Sequence, residues 1–289
     1  MNIYVDSKMT DDARREELYQ GSIFVYAASP SSIKLCQFAR ELIEEAFDPL
    51  DPLTLHKTLP PESCAATLAV LKPRFIHHSE SKKLIQGMLS ELGCDLSKTY
   101  FDVPRMRSAF AGDYLKSGIA YAFHAHRDTW YSAPFCQVNW WMPIYPLNSK
   151  NCMAFHPRYW DKQVKNGSNQ YNYDKWNQES RHNAAQHIKT DTRVQPKPEE
   201  PIEMDPQVRL VCDVGGVILF SAAHLHSTVP NTSGKTRYSI DFRTVHLEDV
   251  QTHTGAHNID SACTGTTMRD YLRATDLTRI PDDTVALYD

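Results

Sequence analysis

Apolar residues recur at helical spacing in the first third of the chain. Over residues 30–47 they stand three or four positions apart, with charged residues between them, which predicts an amphipathic helix that begins at Pro30. Thr10 or Asp11 as a capping residue and Gly21 as a terminator predict a helix before it. The helices predicted in this region are 9–20, 30–47, 61–72 and 79–93, with one short strand at 22–27.

From about residue 99 the pattern changes to short stretches rich in β-branched and aromatic residues, separated by turn residues. The predicted strands are 99–110, 119–126, 134–145, 151–156, 207–213, 216–221 and 236–246. A polar, aromatic-rich insertion covers 157–206, with a helical stretch near 174–188. So long an insertion within a β region is typical of a lid over a functional site.

Helices followed by a run of short strands predict a single domain, mainly β with flanking helices. The expected core is a double-stranded β-helix, the jelly roll of the cupins, with a ligand at the mouth of the barrel. Residues 1–98 would form a helical N-terminal support and 99–246 the core. The tail, 247–289, shows little strand character and a short helix near 266–275.

Composition excludes several classes of protein. The chain has 289 residues, 41% of them hydrophobic, and a formal net charge of −4, which gives no reason to expect nucleic-acid or anionic-membrane binding. No apolar run reaches membrane-spanning or signal-peptide length. The seven scattered cysteines favour free thiols in a reducing cytoplasm. The expected partner is a small-molecule substrate, and a homodimer stays open.

The strongest candidate chemistry is a pair of metal ligands two residues apart, His126 and Asp128. On a β-strand these side chains would project from the same face. A second histidine, His226, follows far downstream, and two histidines with one carboxylate describe the facial site of non-heme iron(II) oxygenases. His124 and His224 have the same parity as their neighbours, so the choice within each pair stays open.

Arg237 follows His226 by eleven positions. A hairpin between them would put Arg237 on the adjacent strand, deep in the barrel, where a guanidinium suits bidentate binding of a carboxylate. Ser239 and Thr228 could donate to the same anion. A buried cation without a partner is costly, which implies an anionic ligand, whereas the ordinary alternative is an ion pair with Asp241.

Other polar residues are weaker candidates. Gln137 and Asn139 share a face of one predicted strand and could reach the site. Arg105 and Arg107 are either structural or contact an acidic group of the substrate. Of the two tryptophans at 140–141, one must face inward and the other outward on a regular strand.

Together these residues resemble a known family, the phytanoyl-CoA dioxygenase-like branch of the iron(II)/2-oxoglutarate oxygenases, which includes ectoine hydroxylase. The resemblance covers roughly residues 100–245. The residues that carry it, in order, are His126-Arg127-Asp128, His226-Ser227-Thr228 and Arg237. It implies that the two histidines and Asp128 bind Fe(II), and that Arg237 and Thr228 hold the C5 carboxylate of 2-oxoglutarate. Phe123 matches an aromatic residue that lines the cosubstrate site in ectoine hydroxylases.

The implied activity is a dioxygenase that uses Fe(II), 2-oxoglutarate and O2 and releases succinate and CO2. It would hydroxylate an unactivated carbon of a small polar metabolite in secondary metabolism or catabolism. The presence of Asp128 favours hydroxylation over halogenation, since related halogenases lack this carboxylate. Two alternatives stay open: a cupin-type metalloenzyme that does not use 2-oxoglutarate, and a non-catalytic jelly-roll protein that binds a small ligand.

Overall fold

The computed structural model describes residues 1–112, 114–116, 118–120, 124–179 and 193–288. Its α-helices in these ranges are α1 (Asp11–Tyr19), α2 (Pro30–Phe47), α3 (Pro61–His77), α4 (Ser79–Glu91), α5 (Tyr173–Glu179), α6 (Leu247–Thr252) and α7 (Asp282–Val285). Its strands are β1 (Ile3–Val5), β2 (Ile23–Tyr26), β3 (Thr99–Phe101), β4 (Arg105–Ala109), β5 (Val138–Pro143), β6 (Met153–Phe155), β7 (Val208–Leu210), β8 (Val217–Ser221), β9 (His226–Thr228), β10 (Arg237–His246) and β11 (Leu272–Arg273).

The predicted N-terminal helices are confirmed, and local sequence explains their ends. Ser29 caps α2 by accepting a hydrogen bond from the Ser32 amide, while the Ser32 side chain accepts one from the Ser29 amide. α3 continues past Pro73 to His77, five residues beyond its predicted end. Leu71 and Phe75 are buried on either side of Pro73, and their packing offsets the hydrogen bond that proline removes.

The strands form two sheets. The larger sheet has the order β1-β2-β8-β5-β10-β3-β11, with β4 also paired to β10, and the smaller sheet has the order β7-β6-β9. Along β10 the side chains alternate, so that Tyr238 and Ile240 face the helices, while Arg237 and Asp241 face a cavity. The protein is therefore mainly β-sheet with flanking helices, as predicted.

Apolar packing occurs on both faces of the larger sheet. The main core lies between this sheet and the helices, and Trp140 belongs to it. A smaller core joins the two sheets, and its buried members are Ile23, Trp141, Met153, Phe155, Ile218 and Phe220. The two adjacent tryptophans thus face opposite cores, which confirms the alternation expected on a regular strand.

Several predicted elements are wrong. Of the strand predicted over 119–126, the described residues do not form one: Gly118–Ala120 make a 3-10 helix, and His126 forms only an isolated bridge. Residues 121–123 lie outside the described residues. Gly118 has a φ of 60°, outside the region that strands occupy. The predicted strand 99–110 is two strands, since Pro104 between them has no amide hydrogen to donate. The helix predicted near 266–275 is a 3-10 helix, Thr267–Asp270, followed by β11.

The predicted hairpin between His226 and Arg237 is also wrong. β9 pairs with β6 in the smaller sheet, whereas β10 pairs with β3, β4 and β5 in the larger sheet. In the insertion, α5 confirms the start of the helix predicted near 174–188, and 180–192 lie outside the described residues. No helix in the described part of the chain has both the length and the apolar character needed to cross a membrane.

Candidate metal centre

Two chain segments bring His126, Asp128 and His226 together. His126 and His226 form an isolated antiparallel bridge, with both N···O distances at 3.0 Å. The Asp128 amide donates to the Ala222 carbonyl at 2.9 Å, and Asp128 begins a 3-10 helix, Asp128–Tyr131. One ligand atom from each of the three side chains lies within 4.8 Å of the others. The residues converge as expected, but through a helical turn after the bridge and not through a continuous strand.

Backbone carbonyl groups set the orientation of both imidazole rings. Nδ1 of His126 lies 2.8 Å from the His124 carbonyl oxygen, and Nδ1 of His226 lies 2.9 Å from that of His224. Each Nδ1 therefore carries the proton, which leaves Nε2 as the nitrogen that can bind a metal. Burial, with the nearby His126, lowers the pKa of His226 to about 4, so its ring is neutral near pH 7.

Hydrogen bonds and ring contacts favour His126 and His226 over the neighbouring histidines as candidate ligands. Nε2 of His124 lies 2.8 Å from the Pro196 carbonyl oxygen in the insertion. The ring of His224 packs against Trp160, with a centroid distance of 4.6 Å. Both residues therefore support the ligands through their backbone carbonyl groups, while their rings contact other parts of the chain.

Asp128 is held as a carboxylate. Burial raises its pKa, but the nearby His126, His226 and Arg243 outweigh burial and hold the pKa well below its usual range. Gln137 Nε2 donates to Asp128 Oδ2 at 3.3 Å, and the hydroxyl of Tyr271 donates to Gln137 Oε1 at 2.7 Å. This chain of hydrogen bonds orients the carboxylate.

Arg127, between the two ligands of the first segment, points away from them and anchors that segment. Its guanidinium lies 3.1 Å from Asp260 and donates to the Ala223 carbonyl at 2.6 Å. Trp130 Nε1 also donates to Asp260, at 2.7 Å. The turn that carries these candidate ligands is thereby joined to the C-terminal tail and to the turn before His226.

A cavity of about 370 Å³ opens beside the three candidate ligands, with walls from both sheets. Arg237, Thr228, Gln137 and Asn139 line it. The volume lies in the range of small-molecule sites.

Arg237 is buried in this cavity without a carboxylate partner among the described residues. Its Nη1 donates to the Asn151 and Cys152 carbonyls at 3.4 Å, and its guanidinium lies 5.6 Å from the Trp141 ring centroid. Its Nε has no hydrogen-bond partner in the described part of the chain. Burial lowers the pKa of Arg237 to about 10, which still leaves it charged near pH 7.

The alternative partner for Arg237 is already engaged. Asp241 accepts from Arg107 Nε at 2.6 Å and from Arg107 Nη2 at 3.2 Å. Arg105 pairs instead with Asp102. Both arginines line the cavity as well as making these ion pairs.

The remaining predicted residues differ in placement. Asn139 lines the cavity, and its Nδ2 is buried with no hydrogen-bond partner among the described residues. Ser239 is fully buried, its Oγ likewise has no partner there, and it is not one of the described lining residues. Thr228 lies on the cavity wall. Phe123 lies outside the described residues.

The structure adds site residues that the sequence interpretation missed: Lys72, Asp102, Arg243 and Tyr271. Arg243 has the parity of Arg237 on β10, so the alternation of strand side chains could have identified it. Lys72 lies on α3 and Tyr271 in the tail, and no local pattern connects either residue to the site.

The donor set fits a divalent transition metal. Two imidazole nitrogens and one carboxylate suit iron(II) and similar ions. The Nε of Arg237 and the Nδ2 of Asn139, which have no hydrogen-bond partner among the described residues, fit an oxygen-rich anion such as 2-oxoglutarate in the same cavity.

No protein-family model and no curated protein matches the chain. Among solved structures, it is similar to EvdO2 from Micromonospora carbonacea var. aurantiaca complexed with 2-oxoglutarate, at 11% identity and a TM-score of 0.47 over 82% of this chain and 91% of that one. It is also similar to the non-heme monooxygenase ThoJ, at 12% identity and a TM-score of 0.42 over 80% of this chain and 76% of that one. It is also similar to SnoN, a non-heme alpha ketoglutarate dependent epimerase from nogalamycin biosynthesis, at 11% identity and a TM-score of 0.38 over 82% of this chain and 84% of that one. All these TM-scores are below 0.5, so the similarities carry no argument about fold or activity.

Proposed function

We propose that this protein is an iron(II)- and 2-oxoglutarate-dependent oxygenase that hydroxylates a carbon of a small polar metabolite. The observation that carries the proposal is the convergence, in one cavity, of three metal-ligand side chains and a buried arginine without a carboxylate partner among the described residues. We also interpret the two facing sheets as a double-stranded β-helix.

The metal would be held by Nε2 of His126, Nε2 of His226 and the carboxylate of Asp128. Iron(II) with 2-oxoglutarate and O2 supplies the oxidation of an unactivated C–H bond, with release of succinate and CO2. The protein contributes fixed orientation, because the backbone carbonyls of residues 124 and 224 fix the proton on each Nδ1 and the Gln137 amide orients Asp128.

Arg237 and Thr228 would bind the C5 carboxylate of 2-oxoglutarate. A planar guanidinium matches a carboxylate in geometry and charge, and burial strengthens the interaction. Ser239 is proposed as a further donor from the same face of β10, and Asn139 and Gln137 as polar contacts nearer the metal. Phe123 is proposed only from the family resemblance.

The insertion would exclude water from the reacting carbon. Tyr171 and Trp176 line the cavity from it, and the Pro196 carbonyl accepts a hydrogen bond from the Tyr131 hydroxyl at 3.1 Å. Since His124 also contacts Pro196, the insertion is joined directly to the metal-binding turn. A closed wall on this side strengthens the electrostatic interactions within the site.

Succinate formation from 2-oxoglutarate tests the proposal. Wild-type protein supplied with iron(II), ascorbate and O2 is expected to form succinate, and Asp128→Ala is expected to lose both metal binding and succinate formation. Asp213→Ala, in an exposed turn remote from the cavity, is the matched control and should behave as wild type.

Two other results would each overturn the proposal. Tight metal binding with no 2-oxoglutarate binding would indicate a cupin-type metalloenzyme of another kind. Absence of divalent-metal binding by purified protein would indicate a non-catalytic ligand-binding protein.

A further inference from the structure

One wall of the cavity carries an excess of positive charge. It is formed by α3, β4, the adjoining part of β10 and the loop that joins β3 to β4. The charged lining residues of this wall are Lys72, Arg105, Arg107, Arg243, Asp102 and Asp241. We call this set the cationic wall. Among the described residues the three arginines of the wall face two carboxylates, which leaves one positive charge in excess even without Arg237, and a second when Lys72 is protonated.

The two carboxylates of the cationic wall bind different numbers of cations. Asp241 binds Arg107 through two hydrogen bonds, whereas Asp102 serves two cations, Arg105 and Arg243, with the Arg243 contact at 2.8 Å. Arg243 also lies 4.0 Å from Asp128, the carboxylate of the candidate metal site. When a metal takes up that carboxylate, Asp102 is left with two guanidinium groups, so this part of the wall attracts a further anion.

Lys72 differs from the three arginines of the cationic wall in its contacts. Its ammonium group donates to the Ile119 carbonyl, and no carboxylate within ion-pair distance is recorded for it among the described residues. Burial, together with repulsion from Arg107, lowers the pKa of Lys72 to about 7. Holding two cations close together in a partly desolvated site is unfavourable unless an anion binds between them.

The position of the wall sets its distance from the metal centre. β4 and β5 pair with opposite edges of β10, so β4 lies roughly 10 Å from β5, two strand spacings away. The residues that orient Asp128 are at the start of β5, at Gln137 and Asn139. A group bound at β4 therefore lies across β10 from β5, within the same cavity.

We propose that the substrate carries an oxyanion, a carboxylate or a phosphate, and that Lys72, Arg105 and Arg107 bind it at the cationic wall. The inference rests on the proposed function, since it assigns the substrate class of that same site. The oxidised carbon would then lie between the wall and the metal centre.

Anion titration tests this proposal without turnover. Inorganic phosphate and acetate are titrated into protein that holds manganese(II) and 2-oxoglutarate under argon, so that Arg237 is already occupied. Tryptophan fluorescence reports binding, because Trp141 and Trp176 line the cavity. Sodium chloride at matched ionic strength separates specific binding from general screening.

Lys72→Met is expected to raise the dissociation constant of the tighter anion about tenfold or more, as loss of a charge-assisted hydrogen bond predicts. Lys72→Arg, which keeps the charge, should stay near wild type. The matched control is Lys82→Met, a half-buried lysine on α4 that is not one of the described lining residues. Tighter binding of phosphate would assign a phosphorylated substrate, and tighter binding of acetate a carboxylic acid.

Unchanged anion affinity in Lys72→Met, or no saturable change for either anion with wild-type protein, would overturn the inference. Failure of the proposed function gives a different result, because manganese and 2-oxoglutarate would then not bind to wild-type protein. In that case the titration is repeated without them in the Arg237→Ala background. If Lys72→Met abolishes anion binding in this background, the anion site is still supported. If anion binding is unchanged, the inference is overturned.

Discussion

Replacing Arg237 with alanine tests the assignment of the cosubstrate carboxylate. The guanidinium has carbonyl and aromatic contacts but no carboxylate partner among the described residues, so 2-oxoglutarate would supply the missing charge. Loss of two charge-assisted hydrogen bonds should raise the dissociation constant of 2-oxoglutarate on the order of 100-fold. Titration of metal-loaded protein measures it, and manganese affinity should be unchanged.

Arg209→Ala is the control for Arg237, since Arg209 is exposed and donates to the Ser149 carbonyl. Equal 2-oxoglutarate affinity in Arg237→Ala and Arg209→Ala would contradict the role of the buried arginine.

A second substitution concerns the orientation of Asp128. Gln137→Leu removes the amide that donates to this carboxylate and leaves the hydroxyl of Tyr271 without its acceptor. Loss of such a supporting contact lowers metal affinity about 10- to 100-fold. Manganese titration should show this decrease, with a circular dichroism spectrum like that of wild type. If the affinity is unchanged, the Gln137 amide does not position the ligand.

The shifted Lys72 pKa predicts a pH-dependent difference in stability between wild type and Lys72→Met. The folded pKa is about 7, below the usual 10.5, because of burial and Arg107, partly offset by Cys64 and Asp241. Between these values the unfolded chain binds the proton that the folded chain lacks, so wild-type stability rises with pH across this window. Below about pH 7 the full cost of the buried ammonium remains.

Lys72→Met should therefore be more stable than wild type at about pH 6, on the order of 2–4 kcal/mol. The difference should decrease as the pH rises towards 10. Urea unfolding of both proteins at several pH values measures it, with Lys82→Met as control. A difference that is constant with pH would contradict the lowered Lys72 pKa.

At the residue scale, the candidate ligands could be predicted from the sequence, but their surroundings could not. The spacing of His126, Asp128 and His226, with Arg237 downstream, was sufficient to propose the site. The choice of His126 over His124 depended on which carbonyl accepts from Nδ1, and that is a matter of backbone conformation. The register of β10 and β4 places Arg105 opposite Asp241, yet Asp241 forms its ion pair with Arg107, diagonally across the two strands, and no local pattern gives this pairing.

At the scale of elements, Gly255 is a position where a methyl group has no room. A Cβ atom there would lie 2.6 Å from the Cys136 amide nitrogen and from the Phe135 carbonyl carbon. Backbone atoms cannot move aside as a flexible side chain can, so Gly255→Ala must shift the start of β5, including Gln137. We expect a loss of about 1–3 kcal/mol in the free energy of unfolding and weaker metal binding.

Gly167→Ala is the matched control for Gly255, because its nearest neighbour would be 3.7 Å away, at Glu199. Thermal unfolding and manganese titration compare the two variants. Equal stability and metal affinity for both would show that the loop at 255 does not position β5.

Elements whose ends depend on interactions between neighbouring residues were predicted correctly from the sequence. The bounds of α2 follow from its cap, from Pro30 and from its apolar spacing, and all three are local. The strand predicted over 119–126 was wrong, because an apolar run does not reveal whether a partner strand exists. β9 and β10 belong to different sheets, and this depends on contacts between residues far apart in the sequence. The eleven-residue spacing of His226 and Arg237 therefore could not establish a hairpin between them.

At the scale of the whole molecule, the cavity is a product of tertiary arrangement. Lys72 comes from α3, Arg107 from β4, His226 from the smaller sheet and Trp176 from the insertion. These residues belong to different elements, so no periodicity within a single helix or strand could show that they line one cavity. The residue pattern, together with the family resemblance, supplied the candidate metal ligands and Arg237, whereas the cationic wall required the tertiary structure.

Because His226 belongs to the smaller sheet and Gln137 joins Asp128 to the larger one, metal binding should link the two sheets. Manganese at a hundred times its dissociation constant should stabilise the protein by about 2.7 kcal/mol. 2-Oxoglutarate should add a further increment only when metal is bound. Differential scanning fluorimetry with each ligand alone and with both measures these shifts.

The variants separate the two contributions. Asp128→Ala should lose both increments, Arg237→Ala should keep the metal increment and lose that of 2-oxoglutarate, and Asp213→Ala should keep both. This order follows because the metal and Arg237 would contact opposite ends of one dicarboxylic acid. If 2-oxoglutarate stabilises Asp128→Ala as much as wild type, 2-oxoglutarate does not bind to the metal. The proposal that one cavity holds both the metal and the cosubstrate would then be wrong.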